Sequence, residues 1–158
     1  MASLSRRQVV EIPVDFHGFA LQDYDDMEVP LPYPEGREVS DDPPFLTAFD
    51  MRLDFASAGH THTAELVAEV WDAEPPQEEG TPWEVTAEAQ LVSVSGRLSA
   101  EVVAGSVPTA VELGAGGLCW RVRARSAGRA AVARLAVRGV PRGVERYLVQ
   151  FWPTCVVG

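Results

Sequence analysis

The feature that most restricts the fold of this chain is a recurring one. Short runs of alternating apolar and polar residues are each cut off by proline or glycine, the pattern of half-buried strands closed by turns. In "QVVEIPVDF" (Gln8–Phe16), Val10, Ile12, Val14 and Phe16 share one face, and Pro13, which has no N–H to give, marks an edge strand. In "FLTAFDMRLDF" (Phe45–Phe55), Phe49, Met51, Leu53 and Phe55 face one way and Asp50, Arg52 and Asp54 the other. "THTAELVAEVWDAE" (Thr61–Glu74) fits a strand through Leu66, Ala68 and Val70, or a helix through Glu65 and Glu69. Pairing with the preceding strand across the "ASAGH" turn favours the strand.

"WEVTAEAQLVSVSG" and "RLSAEVVAG" read as strands parted at Ser95-Gly96, and "TAVELGAGGLCWRVRARSAG" as two strands around a glycine turn. In the second of these two, Leu118, Trp120, Val122 and Ala124 oppose Cys119, Arg121, Arg123 and Arg125. "RAAVARLAVRG" (Arg129–Gly139) is the one segment of helical composition, too short to be stable without packing. The last strand, "ERYLVQFW", is apolar on both faces, with Tyr147, Val149 and Phe151 on one and Leu148 and Trp152 on the other. That places it in mid-sheet, covered on both sides, with Pro153 stopping the pairing. The expected fold is all-β: an antiparallel β-sandwich of about eight short strands with at most one short helix. One domain is expected over residues 1–158, carrying an acidic proline-rich loop at 23–44 and an acidic loop at 72–83.

Charge narrows the function. The chain carries −10 at neutral pH and contains no lysine, so a P-loop is excluded. Residues 1–90 hold 20 of the 23 acids against four arginines, whereas residues 91–158 hold three acids against nine arginines. So acidic a surface disfavours direct nucleic-acid binding and favours a basic protein partner. No apolar run is long enough to span a membrane, and "MASLSRRQVVEIPVDF" has no apolar core before a cleavage site, so the cytoplasm is expected. Cys119 and Cys155 read as two partly buried thiols. No cofactor is expected.

Several residue groups invite chemistry. His60 and His62 in "HTH", with Asp50 or Asp54 across a hairpin, have the makings of a zinc site and a metal-dependent hydrolase; the plainer reading is a hairpin tip exposed to water. His17 reads as a turn or core-edge residue. Arg121, Arg123 and Arg125 form a stripe that suits nucleic acid, or a solvent-facing ladder balanced by Glu101 and Glu112. The acidic loops carry aromatic residues, the composition of a surface that steers by charge and anchors by ring. The candidate partner-binding residues are Asp23, Tyr24, Asp25, Asp26, Tyr33, Asp72, Glu74, Glu78, Glu79 and Trp83.

The segments "GGLCWRVRARSAG" and "VERYLVQFWP" resemble those of small actinobacterial β-sandwich proteins that end in YLVQ-aromatic-WP. More distantly, the chain resembles the ComJ family, bacterial inhibitors of a DNA-entry nuclease. The likeness runs through "IPVDFHGFALQDYDD" (Ile12–Asp26) and the Cys-Trp strand after a glycine turn, "LGAGGLCWRV" (Leu113–Val122). It departs at Glu28–Pro44 and Arg129–Val144. The resemblance implies a sandwich that works by binding and not by catalysis. With the charge it gives an inhibitor or immunity-type protein that blocks a basic enzyme such as a nuclease toxin. A non-inhibitory scaffold or ligand-binding sandwich is the alternative.

Overall fold

The computed structural model describes residues 1–24, 43–77 and 83–156. Its elements, in chain order, are β1 (Leu4–Val14), β2 (Gly18–Asp23), β3 (Leu46–Phe49), β4 (Arg52–Ala56), β5 (His62–Trp71), β6 (Val85–Ser93), β7 (Arg97–Val102), β8 (Gly105–Ser106), β9 (Val111–Glu112), β10 (Leu118–Ala127), α1 (Arg129–Leu135) and β11 (Arg142–Val156). Two sheets face each other. The first has the order β1-β5-β11-β10-β6; the second has β3-β4-β2-β7-β8, with β9 also paired to β7. All pairings are antiparallel except β11 with β5. The all-β sandwich holds, with more strands than eight.

Alternation sets the core. Val10, Ile12 and Val14 from β1, Leu66, Ala68 and Val70 from β5, and Tyr147, Val149 and Phe151 from β11 all point inward. They meet Phe19 and Leu21 of β2, Leu53 and Phe55 of β4 and Leu98 of β7. Phe19 stacks on Phe55 at 4.8 Å, and Tyr147 sets its ring edge-on to both. Each such fully buried side chain contributes about 1.5–3 kcal/mol relative to exposure. β1 is an edge strand, as Pro13 requires, and β11 is central with both faces buried.

Four features differ from the sequence reading. Residues 45–55 form a hairpin, β3 and β4, turning at Asp50 and Met51, with Met51 at φ 61°. β5 pairs with β1 and β11, because β4 belongs to the other sheet. Pro153 ends the pairing with β5 only; the β10 ladder continues beyond a bulge to Val156. Cys119 and Cys155 stand opposite each other in that ladder and form a disulfide, not two thiols.

The chain crosses from β6 to β7, and so between sheets, in a turn at Val94–Gly96. Gly96 has φ 77°, and a Cβ there would lie 2.7 Å from the Ala115 carbonyl, so the close approach of the two loops depends on glycine. Helix α1 starts at Gly128 with no side-chain cap of its own. Glu84 substitutes: its carboxylate accepts the N–H groups of Gly128, Arg129 and Ala130 at 3.0–3.2 Å, satisfying first-turn donors.

Candidate functional site

A buried polar cluster closes the end of the sandwich where β5 and β11 begin. The alternation that sends Tyr147 inward also sends Glu145 inward, and both are sealed from solvent. A buried carboxylate is costly unless it is surrounded by donors. Glu145 accepts the Ser57 hydroxyl at 2.7 Å, the Tyr147 hydroxyl at 2.5 Å and the Ala58 N–H at 2.9 Å. Arg129, the first residue of α1, stands 3.5 Å from the same carboxylate, donates to the Ala56 carbonyl at 3.1 Å and lies over the Phe45 ring.

Ser57 gives its one hydroxyl proton to Glu145, so its oxygen accepts from the Gly59 N–H at 3.2 Å and from His62 Nε2 at 2.7 Å. The geometry therefore assigns the proton of His62 to Nε2. Its buried Nδ1 has no partner among the described residues. Burial holds His62 below its ordinary pKa; Glu145 opposes that shift and His17 adds to it. Burial, then the charge and hydrogen bond of Glu145, push the Tyr147 phenol far above its usual range.

Serine, histidine and glutamate are the residue types of a hydrolytic triad, but their order here is wrong for one. The carboxylate holds the serine proton instead of orienting the imidazole, and the imidazole donates where a base must accept. Ser57, His62 and Glu145 are also closed to solvent. The cluster ties the Ser57–Thr61 turn, α1 and β11 together. Glu145 was its one signal in the sequence, a carboxylate heading a strand of large apolar residues.

The histidine pair is divided. His60 is exposed against Phe16 and His17, whereas His62 is buried, which corrects the expectation that both form an exposed tip. Asp54 belongs to the other sheet and pairs with Arg52 at 2.7 Å. No group of three or more His, Cys, Asp or Glu among the described residues is arranged to hold a metal. The arginine stripe is not a solvent-facing ladder either. Arg123 and Arg125 are buried on the outer face of the first sheet. There Arg123 donates to the Pro75 carbonyl, faces Glu74 and Glu88 and covers the Trp152 ring. Glu112 pairs instead with Arg97.

The residues expected to bind a partner are dispersed. Asp23 is buried, accepting the Ser93 hydroxyl at 2.5 Å and the more distant Ser95 N–H, so it supports the β6–β7 turn and offers no surface. Tyr24 is exposed, with the Arg97 guanidinium 4.9 Å from its ring centre. Asp72 accepts the Ser3 N–H, and Glu74 is exposed beside Arg123. Trp83 is half-buried in a depression of about 360 Å³ with Arg7, Glu65, Val67, Glu69, Arg146 and Leu148. Asp25, Asp26, Tyr33, Glu78 and Glu79 lie outside the described residues. Tyr24 therefore continues the outer face of the second sheet, and Glu74 and Trp83 lie on the outer face of the first.

The geometry defines a two-sheet sandwich whose ionisable cluster of Ser57, His62 and Glu145 is buried and whose other charged groups lie mostly on its faces. No protein-family model matches the chain, and no curated protein matches it in sequence. Two solved structures share the fold. ComJ from Bacillus subtilis, the inhibitor of the DNA degrading activity of NucA, superposes with a TM-score of 0.62 at 14% identity, covering 98% of this chain and 99% of that one. The protein described as crocagin biosynthetic gene J superposes with a TM-score of 0.57 at 13% identity, covering 94% of this chain and 99% of that one. At these identities the likeness shows a ComJ-like fold.

Proposed function

We propose that this chain is an inhibitor or immunity-type protein that binds and blocks a basic enzyme of the nuclease kind. The supporting observation is the correspondence with a nuclease inhibitor over nearly the full length of both chains. Two features of the chain agree with it. The ionisable cluster is sealed, which agrees with action by surface recognition. The net charge of −10, with 20 of the 23 acids in residues 1–90, suits a cationic partner and disfavours nucleic acid, so the inhibitor binds the enzyme and not its substrate. No helix among the described residues is long and apolar enough to cross a membrane.

The test is a DNA-degradation assay in which the purified chain is titrated into a NucA-type nuclease. Expected is a loss of activity that saturates at a fixed stoichiometry, with association slowing as salt rises, because screening acts on steering. Binding that leaves DNA degradation untouched would favour a scaffold, and absence of binding at low salt would remove the nuclease from consideration.

A further inference from the structure

The inhibitor reading leaves open which face meets the partner, and the outer face of the second sheet holds a groove of about 690 Å³. Its floor is made by register. Ala20 of β2 is paired with Asp54 of β4 on one side and Glu101 of β7 on the other. With strands about 4.8 Å apart, the two carboxylate-bearing positions flank the buried Ala20 at a separation of roughly 10 Å. The Asp54 carboxylate already accepts from Arg52, which also donates to Gln22 at 2.7 Å. Glu101 differs. Its carboxylate is held by the hydroxyls of Ser99 and Ser106 at 2.7–2.9 Å, and no cationic side chain among the described residues pairs with it. Two serines orient this charge without neutralising it.

The rims are apolar. Phe16 is 63% exposed on one side and Val103 is 67% exposed on the other, and both line the groove. Phe16 is held there against its own backbone preference. It and His17 occupy left-handed conformations, φ 51° and 61°, in the turn from Asp15 to Gly18. The turn is fixed from behind, because His17 exchanges backbone bonds with His60 and Ser57, and Asp15 accepts the Thr61 hydroxyl. Tyr24, on the same outer face as Ala20 and Gln22, continues this surface.

Resting on the inhibitor reading, we propose that this groove is the docking site for an extended, arginine-bearing segment of the partner. Glu101 brings to it a carboxylate that no cationic side chain among the described residues pairs, so the groove complements a cation. Arginine fits better than lysine. Its planar head bonds a carboxylate such as Glu101 through two donors and stacks on an aromatic face such as Phe16.

The experiment titrates the isotope-labelled chain at physiological salt with the blocked peptide Ala-Arg-Ala-Arg-Ala and with its citrulline twin, following amide shifts. Saturable shifts confined to residues 15–22, 52–55 and 101–105 are expected with the arginine peptide and none with citrulline. Glu101→Gln is expected to weaken binding at least fivefold. Phe16→Gly is expected to raise the unfolding midpoint by relieving the left-handed strain while weakening the peptide comparably, a combination that a purely structural Phe16 would not give. Shifts centred on Glu65, Glu69 and Glu74, equal response to both peptides, or no saturable shift would overturn the groove. The same variants in the nuclease assay separate the two ideas. Full inhibition by Phe16→Gly/Glu101→Gln keeps the inhibitor and removes the groove. Peptide binding without nuclease inhibition does the reverse.

Discussion

Replacing Glu145 tests the buried cluster directly. Its carboxylate serves three donors, the hydroxyls of Ser57 and Tyr147 and the N–H of Ala58, all in the interior. Glu145→Ala strands them together, and a buried donor without an acceptor costs about 1–3 kcal/mol. Because the three share one site, the penalties do not simply add, and a loss of about 4 kcal/mol is expected. That is about a quarter or more of the ~5–15 kcal/mol by which domains are usually stable. Glu145→Gln is the informative companion. Both hydroxyls bond Oε1, so a glutamine carbonyl placed there keeps them, while its amide meets the Ala58 N–H and Arg129 as donor against donor. The expected cost is about 2 kcal/mol. The assay is urea unfolding followed by tryptophan fluorescence, with the slope checked for constancy. If Glu145→Gln falls within about 0.5 kcal/mol of the parent, or Glu145→Ala is no worse than Glu145→Gln, the carboxylate does not organise the cluster.

Three further outcomes are expected. His62 is depressed below 6.5 in the folded state, so the unfolded chain takes up its proton first. Stability is full above about pH 6.5 and falls as pH drops toward the folded value; His62→Gln should flatten unfolding midpoints between about pH 5 and 7, and His60→Ala should not. Trp152→Ala, on the covered outer face of β11 beneath Arg123, should cost about 3–5 kcal/mol in urea unfolding, and an unchanged midpoint would mean that this face is not packed. Reducing Cys119–Cys155, 36 residues apart, should lower stability by about 4 kcal/mol on loop entropy, whereas free thiols in the denatured, unreduced protein would contradict the bond.

The strands were legible where one face is buried, as in β1 and β5, because period-two burial leaves a period-two sequence, and β11 was legible because it is apolar on both faces. Partners were less so. In the β3–β4 hairpin Phe49 pairs with Arg52 and Leu46 with Phe55, so odd-numbered residues on one arm face with even-numbered ones on the other. Extending a single alternation from Phe49 to Phe55 therefore put Phe49 on the wrong face. The arginines of β10 read as solvent-facing because their cover, at Glu74 and Pro75, comes from a loop with no periodicity. Glu145 alone hinted at the cluster, and its partners were hidden for a different reason. Ser57 and Glu145 are 88 residues apart, and only the parallel insertion of β11 beside β5 brings them together. Asp23 looked like one acid among three, with Asp25 and Asp26, and nothing local marks it as turned inward.

Strand β11 also has a consequence for biosynthesis. It is the last described strand to be translated, yet it occupies the third of five places in its sheet. Until it emerges from the ribosome, β1–β5 and β10–β6 are two separate ribbons, each with an open flank lined by unpaired backbone groups. Such flanks attract other strands, and long-range pairing of this kind forms slowly. The nascent chain must therefore wait, held apart from its neighbours, until residues 142–156 zip the two ribbons together. A message broken upstream of Arg142 yields a product that is sticky on two sides, a substrate for chaperones and proteases.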